Sequence, residues 1–286
     1  MSAERPASLP PFRPMPATVR VGTVHVVPLS ENELVQQMEQ SWRRGEGGWI
    51  VTANVDIIRA AARDGALSAL VAEADVVVAD GMPVVWAARI AGKQVPERVT
   101  GASLVYSLTE AAARAGRSVF LLGGEPGVPD AAAQALCARF DGLMVAGTHS
   151  PPFGFERTEK SLESVIRLVE EAKPDLVLVG LGFPKQEKII QRLRAVLPDS
   201  WYVGVGAGIP MAAGKFTRAP VVVQRLGAEW VHRLALEPRR LARRYLLEDA
   251  PFALRLLAGA ARHRMIQRRN RPAAVSPTPQ IVNENA

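Results

Sequence analysis

Six short apolar runs, each cut off by a turn residue and followed by a helical pattern, constrain this chain more than any other feature. They are Trp49 to Thr52, Val76 to Ala79, Ser118 to Leu122, Leu143 to Ala146, Leu176 to Gly180 and Trp201 to Val205. Their length and β-branched content are those of buried strands. Between them lie segments with helical spacing. Ser30-Glu31-Asn32-Glu33 forms a capping box ahead of Leu34, Val35, Met38 and Trp42 on one face. Ile57, Ile58 and Ala61 follow Asn54, and further helices are predicted at 102–115, 128–140, 160–172 and 184–196. Strands and helices alternate through short links, which predicts an α/β fold, a Rossmann-like parallel sheet covered by helices on both faces. A strand or hairpin at 18–27 precedes it. The expected organisation is a flexible leader at 1–17, an α/β core at 18–220, a basic helical appendage at 221–271 and a disordered tail at 272–286.

Charge sorts the chain in the same way. Residues 1–222 carry 23 Lys and Arg against 23 Asp and Glu, whereas residues 223–271 carry 12 Arg against 4 acids, so the net charge of +7 belongs to the C-terminal segment. A footprint for nucleic acid spread over the whole protein is therefore not expected, although an arginine tail alone remains compatible with one. The single cysteine, Cys137, excludes an internal disulfide and fits a reducing compartment. Its apolar helical surroundings predict a buried structural thiol. The four histidines have no ligand spacing, so no metal site is expected. The proline-rich N-terminus has no signal-peptide core, and no apolar run reaches the roughly 20 residues that span a bilayer. Any membrane contact is expected to be peripheral.

Asp80 stands where the run from Val76 to Ala79 ends, before Gly81 and a helix containing Pro83. The carboxyl edge of an open parallel sheet is where ligands bind, which makes Asp80 a candidate base. Capping of the following helix is the equally weighted alternative. Two glycine loops invite comparison with the dinucleotide fingerprint and fail it: Gly180-Leu181-Gly182 is followed by Lys185 where a third glycine belongs, and Gly204-Val205-Gly206-Ala207-Gly208 has its third glycine one position early. An NAD site is disfavoured. Short glycine loops at helix N-termini still suit a nucleotide diphosphate, or serve simply as tight turns.

Taken together, several loops resemble those of the WecG/TagA/CpsF-type bacterial glycosyltransferases, which add N-acetylmannosamine to a lipid-linked N-acetylglucosamine. The matching pieces, in family order, are Thr52-Ala53-Asn54, Ala79-Asp80-Gly81-Met82, Glu97 to Gly101, Leu121 to Gly124, Gly180 to Glu187, Gly204 to Ala207, Arg218-Ala219-Pro220 and Glu229 to Arg233. The resemblance implies that Asp80 is the general base, taking the proton of the acceptor's 4-hydroxyl as it attacks the donor's anomeric carbon with inversion. It implies that Thr52 and Asn54 orient donor or acceptor, and that Gln186 lies in the nucleotide-sugar loop; a helix-surface glutamine is the alternative. Gly123, Gly124 and Gly182 would let the backbone approach uridine diphosphate. Arg98 would meet the pyrophosphate or a lipid diphosphate, or else form an ordinary surface salt bridge. No Asp-X-Asp occurs in the chain, so a metal-independent reaction without cofactor is expected, with arginines and backbone amides meeting the leaving group. Two departures, Ser103 and Ile209-Pro210, stand where the family usually has an acid and Phe-Asp. They bring glucose or a uronic acid into question as the transferred sugar.

In the appendage, Arg233, Arg240 and Arg243 match family arginines that reach over the active site at the membrane. The implied partners are a UDP-sugar donor, an undecaprenyl-diphosphate-linked sugar acceptor and an anionic membrane surface, at the cytoplasmic face of the inner membrane. Phe252, Ala253, Leu256, Leu257, Ala260 and Ala261 then recur at helical spacing opposite Arg255, Arg262 and Arg269. This reads as a helix lying on a membrane, and a helix docked on the protein's own core gives the same stripe. The expected function is glycosyl transfer in surface polysaccharide synthesis. Its rivals are a non-catalytic nucleotide-sugar-binding scaffold and, last, a nucleic-acid-binding protein. A homo-oligomer with an interface beneath the appendage stays open.

Overall fold

The computed structural model describes residues 18–216, 223, 229–236 and 238–269. The predicted leader and tail and Arg218-Ala219-Pro220 lie outside the described residues. The six apolar runs become β3 (Gly48–Ala53), β4 (Val76–Ala79), β5 (Ser118–Gly123), β6 (Met144–His149), β7 (Leu176–Gly180) and β8 (Trp201–Gly204), after an antiparallel hairpin of β1 (Val19–Val21) and β2 (Val24–Val26). The six form one parallel sheet in the order β4-β3-β8-β7-β5-β6. Residues alternate between its two faces. Trp49, Val51, Val177 and Tyr202 pack on one side, with α2 (Val55–Arg63), α3 (Gly65–Ala72), α4 (Met82–Ile90), α7 (Glu159–Ala172), α8 (Lys185–Val196) and the hairpin. Ile50, Leu176, Leu178 and Val203 pack on the other, with α1 (Glu31–Arg44), α5 (Gly101–Ala115), α6 (Val128–Arg139) and α9 (Gly208–Ala212). Both faces are covered, which is why the strands read as unbroken apolar runs.

The strand order creates two crevices. From β5 the chain leaves through α6 on one face, and from its neighbour β7 through α8 on the other. The pair β3 and β8 diverges likewise through α2 and α9. Such reversals open the sheet's carboxyl edge to a ligand.

Three local outcomes differ from the sequence reading. β6 runs on to His149, past the apolar run, because Gly147, Thr148 and His149 pair with Phe120, Leu121 and Leu122. Backbone pairing, not hydrophobicity, extends this edge strand. Asp64 breaks the helix after Asn54 into α2 and α3 by accepting bonds from the N–H groups of Ala66 and Leu67. Cys137 is exposed and not a buried thiol. On α6 the buried stripe is Ala132, Ala133 and Leu136, and one residue further the helix has turned about 100° toward solvent.

The appendage contains α10 (Glu229–Leu236), α11 (Pro238–Ala242), a π-helical segment (Arg243–Asp249) and α12 (Ala250–Arg269). Of the two readings of the apolar stripe on α12, the structure takes the docked one. Leu256 is buried in the core cluster with Val19 and Ile58, and Phe252, Leu257 and Ala260 pack against it. The reason is that α4 and the hairpin leave an apolar surface uncovered until α12 arrives. Arg264 fastens the far end by donating to the carbonyl of Ile90, 3.2 Å away. Among the described residues no helix is long and apolar enough to cross a membrane.

Candidate active site

The carboxyl ends of β3 and β4 lie side by side, with Ala53 opposite Ala79 as their last registered pair. Asn54 and Asp80 are therefore neighbours, and the Asp80 N–H donates to the Ala53 carbonyl at 2.9 Å. Asp80 is half-buried. The N-cap position of α4 belongs to Gly81, at φ 104°, and not to Asp80. Thr52 is buried one turn of pleat below the edge, where its hydroxyl donates to the Gly204 carbonyl at 3.4 Å. Asn54 has a local role as well: its Oδ1 caps α2 by accepting from the Ile57 N–H at 3.0 Å.

The loop before α5 folds back onto the same edge, because the Val99 N–H donates to the Ala79 carbonyl at 3.0 Å. Arg98 is thereby brought to the end of β4. It forms no ordinary surface pair: its guanidinium lies 2.8 Å from Glu229 of α10, with both side chains largely buried. Core and appendage meet at this ion pair. Ser103, one of the two departures from the family pattern, completes a capping box with Thr100 at the start of α5. Ile209, the other, is fully buried in the core, against Gly180. A helix cap accounts for Ser103 and a core contact for Ile209.

Gly123 and Gly180 end β5 and β7 with their backbones touching. A Cβ on Gly123, at φ 114°, would lie 2.6 Å from the Gly180 carbonyl oxygen. Gly124 accepts a hydrogen bond from the Ser150 hydroxyl at 2.6 Å, and Gly182, at φ 75°, has open space where a side chain would be. These loops present bare backbone along the crevice.

Gln186 is not a helix-surface residue. It is buried, its Oε1 accepts from the N–H groups of Gly182 at 3.2 Å and Gly206 at 3.3 Å, and its Nε2 donates to Glu187 Oε1 at 2.8 Å. One amide thus ties the loop after β7 to the loop after β8. Glu187 is the residue that sequence reasoning missed. It is 1% exposed, its Oε2 has no hydrogen-bond partner among the described residues, and burial pushes its carboxyl up to about 7. In the sequence it is one more acid in a first helical turn, and only tertiary packing distinguishes it.

Of the appendage arginines, Arg233 lies on α10 and Arg240 on α11, while Arg243 begins the π-helical segment and is solvent-exposed, 4.0 Å from Glu248. A second junction lies beyond them. Arg59 of α2 reaches Asp56 at 2.5 Å, Glu248 at 2.6 Å and Asp249 at 3.0 Å, and Arg244 approaches Asp56 and Asp249, each at 3.7 Å. Burial, with the neighbouring Asp56 charge, pushes Asp249 up to about 6.

The edge therefore offers one half-buried carboxylate with Asn54 as its neighbour, an arginine ion-paired with Glu229 in the loop that folds back onto the same strand end, and bare glycine backbone at the ends of β5 and β7. That set suits proton removal next to a bound anionic group. Among the described residues, no three His, Cys, Asp or Glu side chains gather as a metal site would require.

Comparison with known proteins identifies the family. The profile of the glycosyl transferase WecG/TagA/CpsF family matches residues 19–266. A protein of Staphylococcus aureus strain MRSA252, named N-acetylglucosaminyldiphosphoundecaprenol N-acetyl-beta-D-mannosaminyltransferase, is 33% identical over 214 residues, 75% of this chain and 81% of that protein. Its counterpart of the same name in strain NCTC 8325 / PS 47 is 32% identical over the same span. The match runs from the hairpin into α12 and takes in each loop described above, and the chain belongs to the WecG/TagA/CpsF glycosyltransferase family.

Proposed function

We propose that this glycosyltransferase moves a sugar, N-acetylmannosamine first and glucose as the alternative, from a UDP-sugar to an undecaprenyl-diphosphate-linked sugar, with inversion and without a metal. The observation that carries the reading is the placement of Asp80 beside Asn54 at the carboxyl edge, with Arg98 folded back onto the same strand end. Asp80 accepts the proton of the acceptor hydroxyl, whose oxygen forms the new bond to the anomeric carbon while the bond from that carbon to the diphosphate breaks. The departing diphosphate takes the electron pair, and arginine and backbone N–H groups offset its charge. Thr52 and Asn54 hold the reacting sugars, and the appendage bearing Arg233, Arg240 and Arg243 covers the lipid diphosphate. Leu246 and Leu247 of the π-helical segment and Leu254, Met265 and Ile266 of α12, the helix that carries Arg255 and Arg262, are exposed apolar side chains. They support a peripheral position on an anionic membrane, at its cytoplasmic face, where such a lipid would be met.

The test is transfer from a panel of UDP-sugars to a short-chain lipid-diphosphate N-acetylglucosamine and its glucose counterpart, with chelator present. Turnover with one donor, reduced roughly 10²–10⁴-fold in Asp80→Asn with donor binding retained, is the expected result. Donor binding without turnover on any acceptor would favour a non-catalytic scaffold, and turnover abolished by chelator would overturn metal independence.

A further inference from the structure

The most exposed large apolar side chain described is Phe153, at 90%. Its ring does not sit alone: Lys185 Nζ lies 5.1 Å and the Arg157 guanidinium carbon 5.6 Å from its centroid. The loop that carries it is anchored on both sides. Ser150 bonds to the Gly124 carbonyl, and Phe155 is buried in the core. Gly154, at φ 82°, supplies the turn between Phe153 and Phe155. Phe153 is thus held out into solvent by a fixed loop. Nothing in the fold needs an aromatic ring there.

Position adds to this. The loop follows β6 and touches the loop after β5 through Gly124 and the start of α8 through Lys185, so it stands over the crevice between β5 and β7. Lys185 is further held by an ion pair with Glu156. A flat apolar face beside two cations, above bare glycine backbone, matches a ligand with a planar ring at one end and a diphosphate next to it.

We infer that Phe153, between Arg157 and Lys185, is the platform on which the nucleobase of the donor stacks, which fixes the donor's direction along the sheet. The inference rests on the nucleotide-sugar reading above. Neighbouring strands stand about 4.8 Å apart, and β7 is three strands from β4, so roughly 14 Å separates the end of β7 from Asp80. A base on Phe153 puts the diphosphate across the glycine loops after β5 and β7. The sugar then points along the edge in the direction of Asp80.

Phe153→Ala tests this without endangering the fold, since the side chain is almost fully exposed. Binding of UDP and of inorganic pyrophosphate is measured by calorimetry for wild type, Phe153→Ala and Phe153→Trp, alongside the donor KM. The expected result is UDP affinity at least tenfold weaker in Phe153→Ala, pyrophosphate affinity changed less than twofold, donor KM raised in parallel and Phe153→Trp restored toward wild type. Equal loss of UDP and pyrophosphate would mean that the loop merely shapes the phosphate site, and would overturn the inference. So would wild-type UDP affinity in Phe153→Ala while the enzyme still turns over a UDP-sugar, which leaves the donor reading intact. A wild-type protein that binds no UDP at all would sink both.

Discussion

Glu187 sets a term in this protein's response to pH. Its carboxyl is raised by burial to about 7 from an ordinary 4.5, so the folded state favours the neutral form. Its contribution to stability is complete below about 4.5 and is lost as pH rises through about 7. Asp249, raised to about 6 from 3.8, acts in the same direction over a lower window. The melting temperature of the wild type is therefore expected to fall between pH 5 and 8, and the fall should be shallower in Glu187→Gln, which keeps an acceptor for Gln186 and cannot ionise. Parallel melting curves across that range would count against the assignment. Gly123→Ala is the sharper lesion. It sets a methyl 2.6 Å from the Gly180 carbonyl oxygen at φ 114°, and chemical denaturation should show a loss of about 2 kcal/mol or more.

At the level of elements, a side chain of the core, Arg59, holds the appendage at its π-helical segment. Arg59 answers Asp56, Glu248 and Asp249 at once, and its side chain is only 10% exposed. Arg59→Met keeps the length and removes the charge, leaving Asp249 buried beside Asp56 with Arg244 alone to compensate. Hydrogen exchange across α12 and the π-helical segment is expected to accelerate in this variant, while the amides of β7 and β8 stay protected. Uniform acceleration would show that Arg59 supports the whole fold instead. Sequence periodicity located most of these elements, because a strand buried on both faces and a helix buried on one leave distinct patterns. It did not locate the junctions. The stripe on α12 had two readings, since a membrane and an apolar protein face select the same residues, and only the uncovered surface of α4 decides between them. Gln186 and Glu187 were likewise legible as a motif but not as a buried knot, because burial there comes from Gly204, in another strand.

For the whole molecule, docking of the α12 stripe changes which apolar residues are left exposed for the proposed bilayer contact. Leu247 and Leu254 are 72% and 68% exposed, and Leu254 adjoins Arg255 in the chain. Binding to vesicles should rise with anionic lipid content and fall with salt, and Leu247→Glu with Leu254→Glu should weaken it several-fold in a sedimentation assay. Unchanged binding would place the contact elsewhere. The candidate edge was readable from the sequence because Thr52, Asn54, Asp80 and Gly123 stand at or just past strand ends; the contact of Arg98 with Glu229 was not, since the two lie far apart in the chain and meet only in the fold.

The adjacency of β3 and β8 has a consequence during synthesis. Thr52 and Gly204, bonded in the finished sheet, are 152 residues apart. A nascent chain carries Asp80 early, yet the flank of β3 that will meet β8 stays open until nearly three-quarters of the protein has been made. A chain released before that point has an unpaired strand edge and no second wall for its crevice. Premature termination therefore leaves an open strand edge and an unfinished crevice, a substrate for chaperones and proteases, so the topology itself acts as a check on completeness.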